Sequence, residues 1–177
     1  FEQKICDLTG AKYCVCLANA TAALHLAVMA LDIEKGLEGI TSTNTFVASS
    51  NAFIYSGLKP VLADIDPRTF NVFPEDLAKR INKNTRVIIP VHFAGQPCDM
   101  KAIRDLAGKG IKIVEDAAHA IGSRYADGSL VGGWLSDALL RRTASRRLAR
   151  QVIAVGSLGL CAAFTWSAFL FTSALAA

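Results

Sequence analysis

The segment Ile111–Gly122, IKIVEDAAHAIG, decides the reading of this chain, because an apolar run with the composition of a buried strand ends abruptly in two adjacent carboxylates, Glu115 and Asp116, and then His119. In an open α/β sheet, ligands bind at the carboxyl ends of the strands, so Asp116 sits where a cationic group would compensate it. Such a carboxylate is costly to bury unless paired. The protonated ring nitrogen of pyridoxal phosphate is one partner that fits, since its electron-sink chemistry depends on an acidic residue keeping that nitrogen charged. The plainer alternative is a strand-end carboxylate satisfied by backbone N–H groups or a nearby lysine.

Working outward, short β-rich runs alternate with helical ones from Tyr13 onward, which argues for an α/β architecture with a largely parallel sheet. FEQKICDLTG at the start reads as the last turns of a helix closed by Gly10, and YCVCLA (13–18) as a strand. TAALHLAVMAL (21–31) reads as a helix with Asn19 or Thr21 near its start, GITST (39–43) as a short strand, and FVASSNAFIYS (46–56) as a helix closed by Gly57. KPVLADI (59–65) follows as a strand, PEDLAKRI as a helix opened by Pro74, and TRVIIPVH (85–92) as a buried strand. DMKAIRDLAGKG (99–110) is a helix, IKIVED the next strand, and YADGSLVGG (125–133) a hairpin around Asp127-Gly128.

No GxGxxG follows any strand, which removes the main support for a dinucleotide-binding reading. The first strand runs instead into LANATAAL, a helix start made of small residues. Backbone N–H groups and the helix dipole make such a start a phosphate cradle, to which Thr21 can add a hydroxyl; most Asn/Thr helix starts, however, are simply caps.

Charge divides the chain unevenly. Residues 1–140 hold 14 Lys plus Arg against 15 Asp plus Glu, whereas residues 141–177 hold five Arg, no Lys and no acid, so the net charge of +4 comes from the tail. The charge therefore gives no support to a nucleic-acid-binding surface on the first part. The five cysteines, Cys6, Cys14, Cys16, Cys98 and Cys161, have neither a disulfide framework nor zinc-site spacing, so no metal site is expected and a reducing cytoplasm fits. Cys14 and Cys16 would share one face of a strand, which suits a buried core pair and leaves a metal or redox pair as the alternative.

Taken together, LANATAALHLA, TSTNTFVASSNAFIYSGLKPVLADIDPRTFNV, VIIPVHFAGQPCDMKAI and VEDAAHAIGSRYADGSLVGG resemble the nucleotide-sugar aminotransferases of the DegT/StrS type over about residues 1–140. The resemblance implies part of the large domain of the pyridoxal-phosphate fold shared with aspartate aminotransferase. It also implies a cytoplasmic homodimer with active sites at the subunit interface, which moves an amino group, usually from glutamate, onto a nucleotide-linked keto-sugar. VHFAGQPCDM and ANATAAL look most like the branch that aminates UDP-linked 4-keto-6-deoxy amino sugars, precursors of pseudaminic-type sialic acids.

Residue by residue, Asp116 matches the aspartate that pairs with the pyridine nitrogen, and Ala20 and Thr21 lie in the turn that holds the cofactor phosphate. Phe46 matches the aromatic that stacks on the cofactor ring, and His119 lies in the segment lining the same pocket. Ala18 and Ala20 depart from the commoner serine and glycine, and Ala20 fits only where the backbone avoids positive φ. His92 and Gln96 lie where loops approach cofactor or sugar, although surface-loop polarity explains them equally; His25, in mid-helix, reads as structural.

The family's Schiff-base lysine follows the segment equivalent to GGWLSDALL. Here the last lysine is Lys112 and no histidine follows His119, so no catalytic residue is assigned and transamination is expected to be lost or slowed by orders of magnitude. Residues 141–151 form an Arg-rich junction and 152–177 an uncharged hydrophobic segment, unrelated to the family pattern. Two readings of it stay open: a product of reading the gene in a wrong frame, leaving a fragment, or a transmembrane helix with its arginines on the cytoplasmic side. The second would make the chain a membrane-tethered pseudoenzyme that binds cofactor or sugar nucleotide without turnover.

Overall fold

The computed structural model describes residues 1–125 and residue 131. Among the described residues, five α-helices and four strands follow one another, alternating from α2 onward: α1 (Glu2–Thr9), α2 (Ala20–Met29), β1 (Glu38–Ser42), α3 (Val47–Tyr55), β2 (Lys59–Ala63), α4 (Pro74–Arg80), β3 (Thr85–Ile89), α5 (Met100–Ala107) and β4 (Lys112–Ile113). Local chemistry sets most boundaries. Gly10 closes α1 in the left-handed conformation at φ 73°, the Asn19 side chain accepts a 2.8 Å hydrogen bond from the Ala22 N–H to open α2, and Pro74 takes the first turn of α4.

The strands form one parallel sheet in the order β2-β1-β3-β4. Period-two alternation feeds two cores. Val87, Ile89 and Val114 face α2 and α3 on one side, with Leu24, Val28, Ala52 and Phe53. Ile40, Ile88 and Ile113 face α4 and α5 on the other, with Leu77, Met100 and Ile103. The result is a three-layer α/β/α arrangement. At Gly39 a Cβ would lie 2.4 Å from the ring of the fully buried Phe53, so helix α3 reaches β1 only over a bare backbone.

The helices leave the strands in a way that locates a crevice. The chain passes from β1 to α3 on one face of the sheet, and from the adjacent β3 to α5 on the opposite face. Loops that part in this way open a cleft at the carboxyl ends of the two strands. Segments 43–46 and 90–98 leave those two strand ends.

Three expectations are corrected. YCVCLA is not a strand, because among the described residues no strand offers it a ladder; the Cys16 N–H goes instead to a Glu2 carboxylate oxygen at 2.7 Å. Cys14 is buried but Cys16 is exposed, so they are not a buried pair. IKIVED pairs regularly only at Lys112–Ile113, and continues as single bonds from the Val114 N–H to the Ile88 carbonyl and from the Asp116 N–H to the Pro90 carbonyl. Most of the hairpin at 125–133, the junction 141–151 and the segment 152–177 lie outside the described residues. Among the described residues no helix is long and apolar enough to cross a membrane.

Candidate functional site

The alternation that splits the core also splits the two carboxylates. Asp116 follows Val114 onto the α2/α3 face, whereas Glu115 follows Ile113 onto the α4/α5 face. Asp116 is 7% exposed. Its Oδ2 accepts from Ser49 Oγ at 2.8 Å and its Oδ1 from the Ala118 N–H at 3.2 Å. Ser49 lies in the first turn of α3 and shares a 2.7 Å hydrogen bond with Thr45. The backbone of Asp116 is gripped as well: its N–H donates to the Pro90 carbonyl at 2.9 Å, and its carbonyl accepts from the His92 N–H at 3.1 Å. No lysine or arginine forms an ion pair with it among the described residues. The carboxylate is thus oriented by neutral donors, with no cation beside it among the described residues, an arrangement that suits a cationic ligand.

Phe46 stands at the same edge. It immediately precedes α3 and is 74% exposed, a large aromatic face turned away from the core. Helix α2 packs in the same core as α3, with His25 against Tyr55 at the far end of α3, so its start lies toward this edge. The helix is 10 residues long, or about 15 Å, close to the length of a five-residue strand, and its last residues lead into the amino end of β1. Ala20 does not take positive φ, which meets the condition for alanine in the turn. Thr21 is exposed, and with Asn19 committed to the Ala22 N–H, no protein acceptor among the described residues takes the N–H groups of Ala20 and Thr21. His119 is exposed in the loop after Asp116. Gln96 is exposed, while its carbonyl accepts from the buried Asn71 side chain at 3.0 Å. His25 packs edge-on to the Tyr55 ring at 5.2 Å, with Nε2 buried and unpartnered among the described residues.

His92 is not a surface-loop residue. It is fully buried on the α4/α5 face, 3.1 Å from Glu115, and belongs to neither the cleft nor the solvent. The neighbouring Cys98 thiol is pushed up to about 12, by burial first and then by Glu115. Sequence reasoning missed Ser49 and this Glu115 cluster. The signal for Ser49 was its place on the buried stripe Ala48, Ser49, Ala52, Phe53, where a hydroxyl needs a partner. For Glu115 it was period two, which sends it away from Asp116 into surroundings that must satisfy it.

Comparison with known proteins settles the class. The family profile described as the DegT/DnrJ/EryC1/StrS aminotransferase family matches residues 1–168. The chain belongs to this aminotransferase family. Among solved structures, the aminotransferase from Psychrobacter cryohalolentis is 39% identical with a TM-score of 0.71, over 74% of this chain and 33% of that one. Bacillus subtilis NtdA, solved with the cofactor pyridoxamine phosphate, is 34% identical with a TM-score of 0.66, over 68% of this chain and 28% of that one. Helicobacter pylori PseC, an aminotransferase involved in the biosynthesis of pseudoaminic acid, is 30% identical with a TM-score of 0.70, over 74% of this chain and 36% of that one. The chain spans about a third of the length of these structures.

The DegT/DnrJ/EryC1/StrS aminotransferases depend on pyridoxal phosphate or its amino form. The described residues fit that group. A buried, pre-oriented carboxylate without a cation, an outward-facing aromatic and a helix start with open N–H groups meet the three chemical demands of a charged pyridine nitrogen, a flat ring and a phosphate.

Proposed function

We propose that this chain carries the cofactor-binding part of a pyridoxal-phosphate aminotransferase acting on nucleotide-linked keto-sugars, with glutamate as donor and a homodimer as the intact form. Asp116 carries the reading: it is a buried carboxylate at the sheet's crevice, aimed by Ser49 and the Ala118 N–H, with no cationic partner among the described residues. Its role is to hold a proton on the pyridine nitrogen, which the low exposure of the site strengthens. Phe46 covers one face of the ring, and the N–H groups of Ala20 and Thr21, with the Thr21 hydroxyl, receive the phosphate. His119 lines the same cleft. When bound, pyridoxal phosphate supplies an electron sink for the carbon that exchanges its amino group.

The motifs VHFAGQPCDM and ANATAAL, with the likeness to PseC, support a UDP-linked 4-keto-6-deoxy sugar as the substrate class. Residues 113–177 contain no lysine and so supply no side-chain amine to attach the cofactor or move the proton, which limits this chain to binding without turnover. The test is titration with pyridoxal phosphate followed by absorbance. The wild-type chain is expected to bind, and Asp116→Ala to bind at least about tenfold more weakly, the loss of one charged hydrogen bond. Equal affinities would refute the assignment of Asp116.

A further inference from the structure

The mechanism leaves one buried polar cluster unused, on the face of the sheet opposite the cleft. Glu115 and His92 are 8% and 0% exposed. The Cys98 N–H donates to His92 Nδ1 at 3.0 Å, so that nitrogen carries a lone pair and the ring proton sits on Nε2. Nε2–H therefore donates to Glu115 Oε2 at 3.1 Å, and the Tyr125 hydroxyl donates to the same oxygen. Burial, with Glu115 beside it, raises the Tyr125 hydroxyl far above its ordinary range and keeps it a donor.

This knot joins the two loops that leave the carboxyl edge. Ser123 Oγ donates to the Gly95 carbonyl at 2.7 Å, and at Gly95, with φ 86°, a Cβ would lie 3.0 Å from the His119 carbonyl, so the loops touch backbone to backbone. His92 connects the knot to the cleft. Its ring donates to Glu115, while its backbone N–H donates to the carbonyl of Asp116.

We infer that Glu115 is a positioning residue: by holding the His92 ring and the Tyr125 hydroxyl from behind the sheet, it fixes the backbone that aims the Asp116 carboxylate at the cofactor ring nitrogen. The inference deepens the reading of Asp116 given above and rests on it. Glu115 touches neither cofactor nor substrate.

Two readouts on the full chain test it. In Glu115→Gln without cofactor, hydrogen exchange should quicken at least about tenfold at the His92, Asp116 and Ala118 amides, with Ile40 and Ile88 at the sheet centre unchanged. Unchanged exchange at the first three overturns the proposal. The second readout is the affinity ratio between pyridoxal phosphate and its 1-deaza analogue, in which carbon replaces the ring nitrogen. The wild type should prefer the natural ring, and Glu115→Gln should lose about tenfold of that preference while keeping its affinity for the analogue. An equal drop for both ligands, or an unaltered ratio, overturns the proposal. A wild type without preference refutes the role of Asp116 instead, and with it the aim assigned to Glu115. Tyr125→Phe, which removes one donor and leaves the carboxylate in place, should move both readouts in the same direction if Glu115→Gln does not fold.

Discussion

Replacing Ser49 with alanine removes one of the two donors that orient Asp116 and leaves the backbone untouched. The lost bond is 2.8 Å long and joins a fully buried hydroxyl to a carboxylate that is 7% exposed, so water cannot substitute for it. Deleting a donor to a buried charged group costs about 1.5–3 kcal/mol, while alanine's higher helix propensity returns about 0.5 kcal/mol. The partner hydroxyl of Thr45 loses little: with the Ser49 proton on Asp116, Thr45 donates its own to Ser49, and in the variant it can turn that proton to the Phe46 carbonyl 3.2 Å away. A net loss of about 1–2.5 kcal/mol follows, which at a urea dependence of about 1–3 kcal/mol per molar lowers the unfolding midpoint by about 1 M. Ser50→Ala is the control: among the described residues its hydroxyl reaches only the Val47 carbonyl on the helix surface, and its stability should stay within about 0.5 kcal/mol of wild type. Coincident unfolding of Ser49→Ala and Ser50→Ala would show that Asp116 is not held as described.

Gly39→Ala places a methyl group 2.4 Å from the Phe53 ring, which is fully buried and cannot yield, so a loss of about 3 kcal/mol is expected in urea unfolding. Phe46→Ala, at a residue 74% exposed, should leave thermal stability within about 0.5 kcal/mol yet weaken pyridoxal-phosphate binding about fivefold. The Asp76 carboxyl lies below its usual 3.8, first because it accepts the Asp64 N–H and then because of Arg80. Its contribution is therefore complete above that value and lost as pH falls through the lower folded value, so urea midpoints of Asp76→Asn and wild type should differ at pH 7 and converge in acid. Cys98, buried and with its thiol at about 12, should resist iodoacetamide in the native state, whereas the exposed Cys16 should react, as peptide mass mapping would report.

Much of the layer order was legible because local chemistry writes it. Pro74 at a helix start, Asn19 as a cap and Gly57 after α3 act within a few residues of themselves, and the structure has each where its type demands. YCVCLA misled because a strand exists only with a partner, and its residues carry the right propensities without one among the described residues. Asp116 was legible as a strand-end carboxylate. Ser49 was not, because its bond spans 67 positions of sequence, and His92 was ambiguous because a histidine after a strand looks the same whether the loop lies over water or turns into the core. Local pattern identifies groups that need satisfying; only packing shows what satisfies them.

The opposite facing of Glu115 and Asp116 also makes this short stretch intolerant of changes in length. A one-codon insertion or deletion between Lys112 and Val114 would turn the glutamate toward the cleft and the aspartate toward His92, with one methylene too many on one side and one too few on the other. Composition would barely change, and a substitution-based view of tolerance would not register the damage. Lineages carrying this dipeptide should therefore accept exchanges of side chain along β4 far more readily than any change in its number of residues.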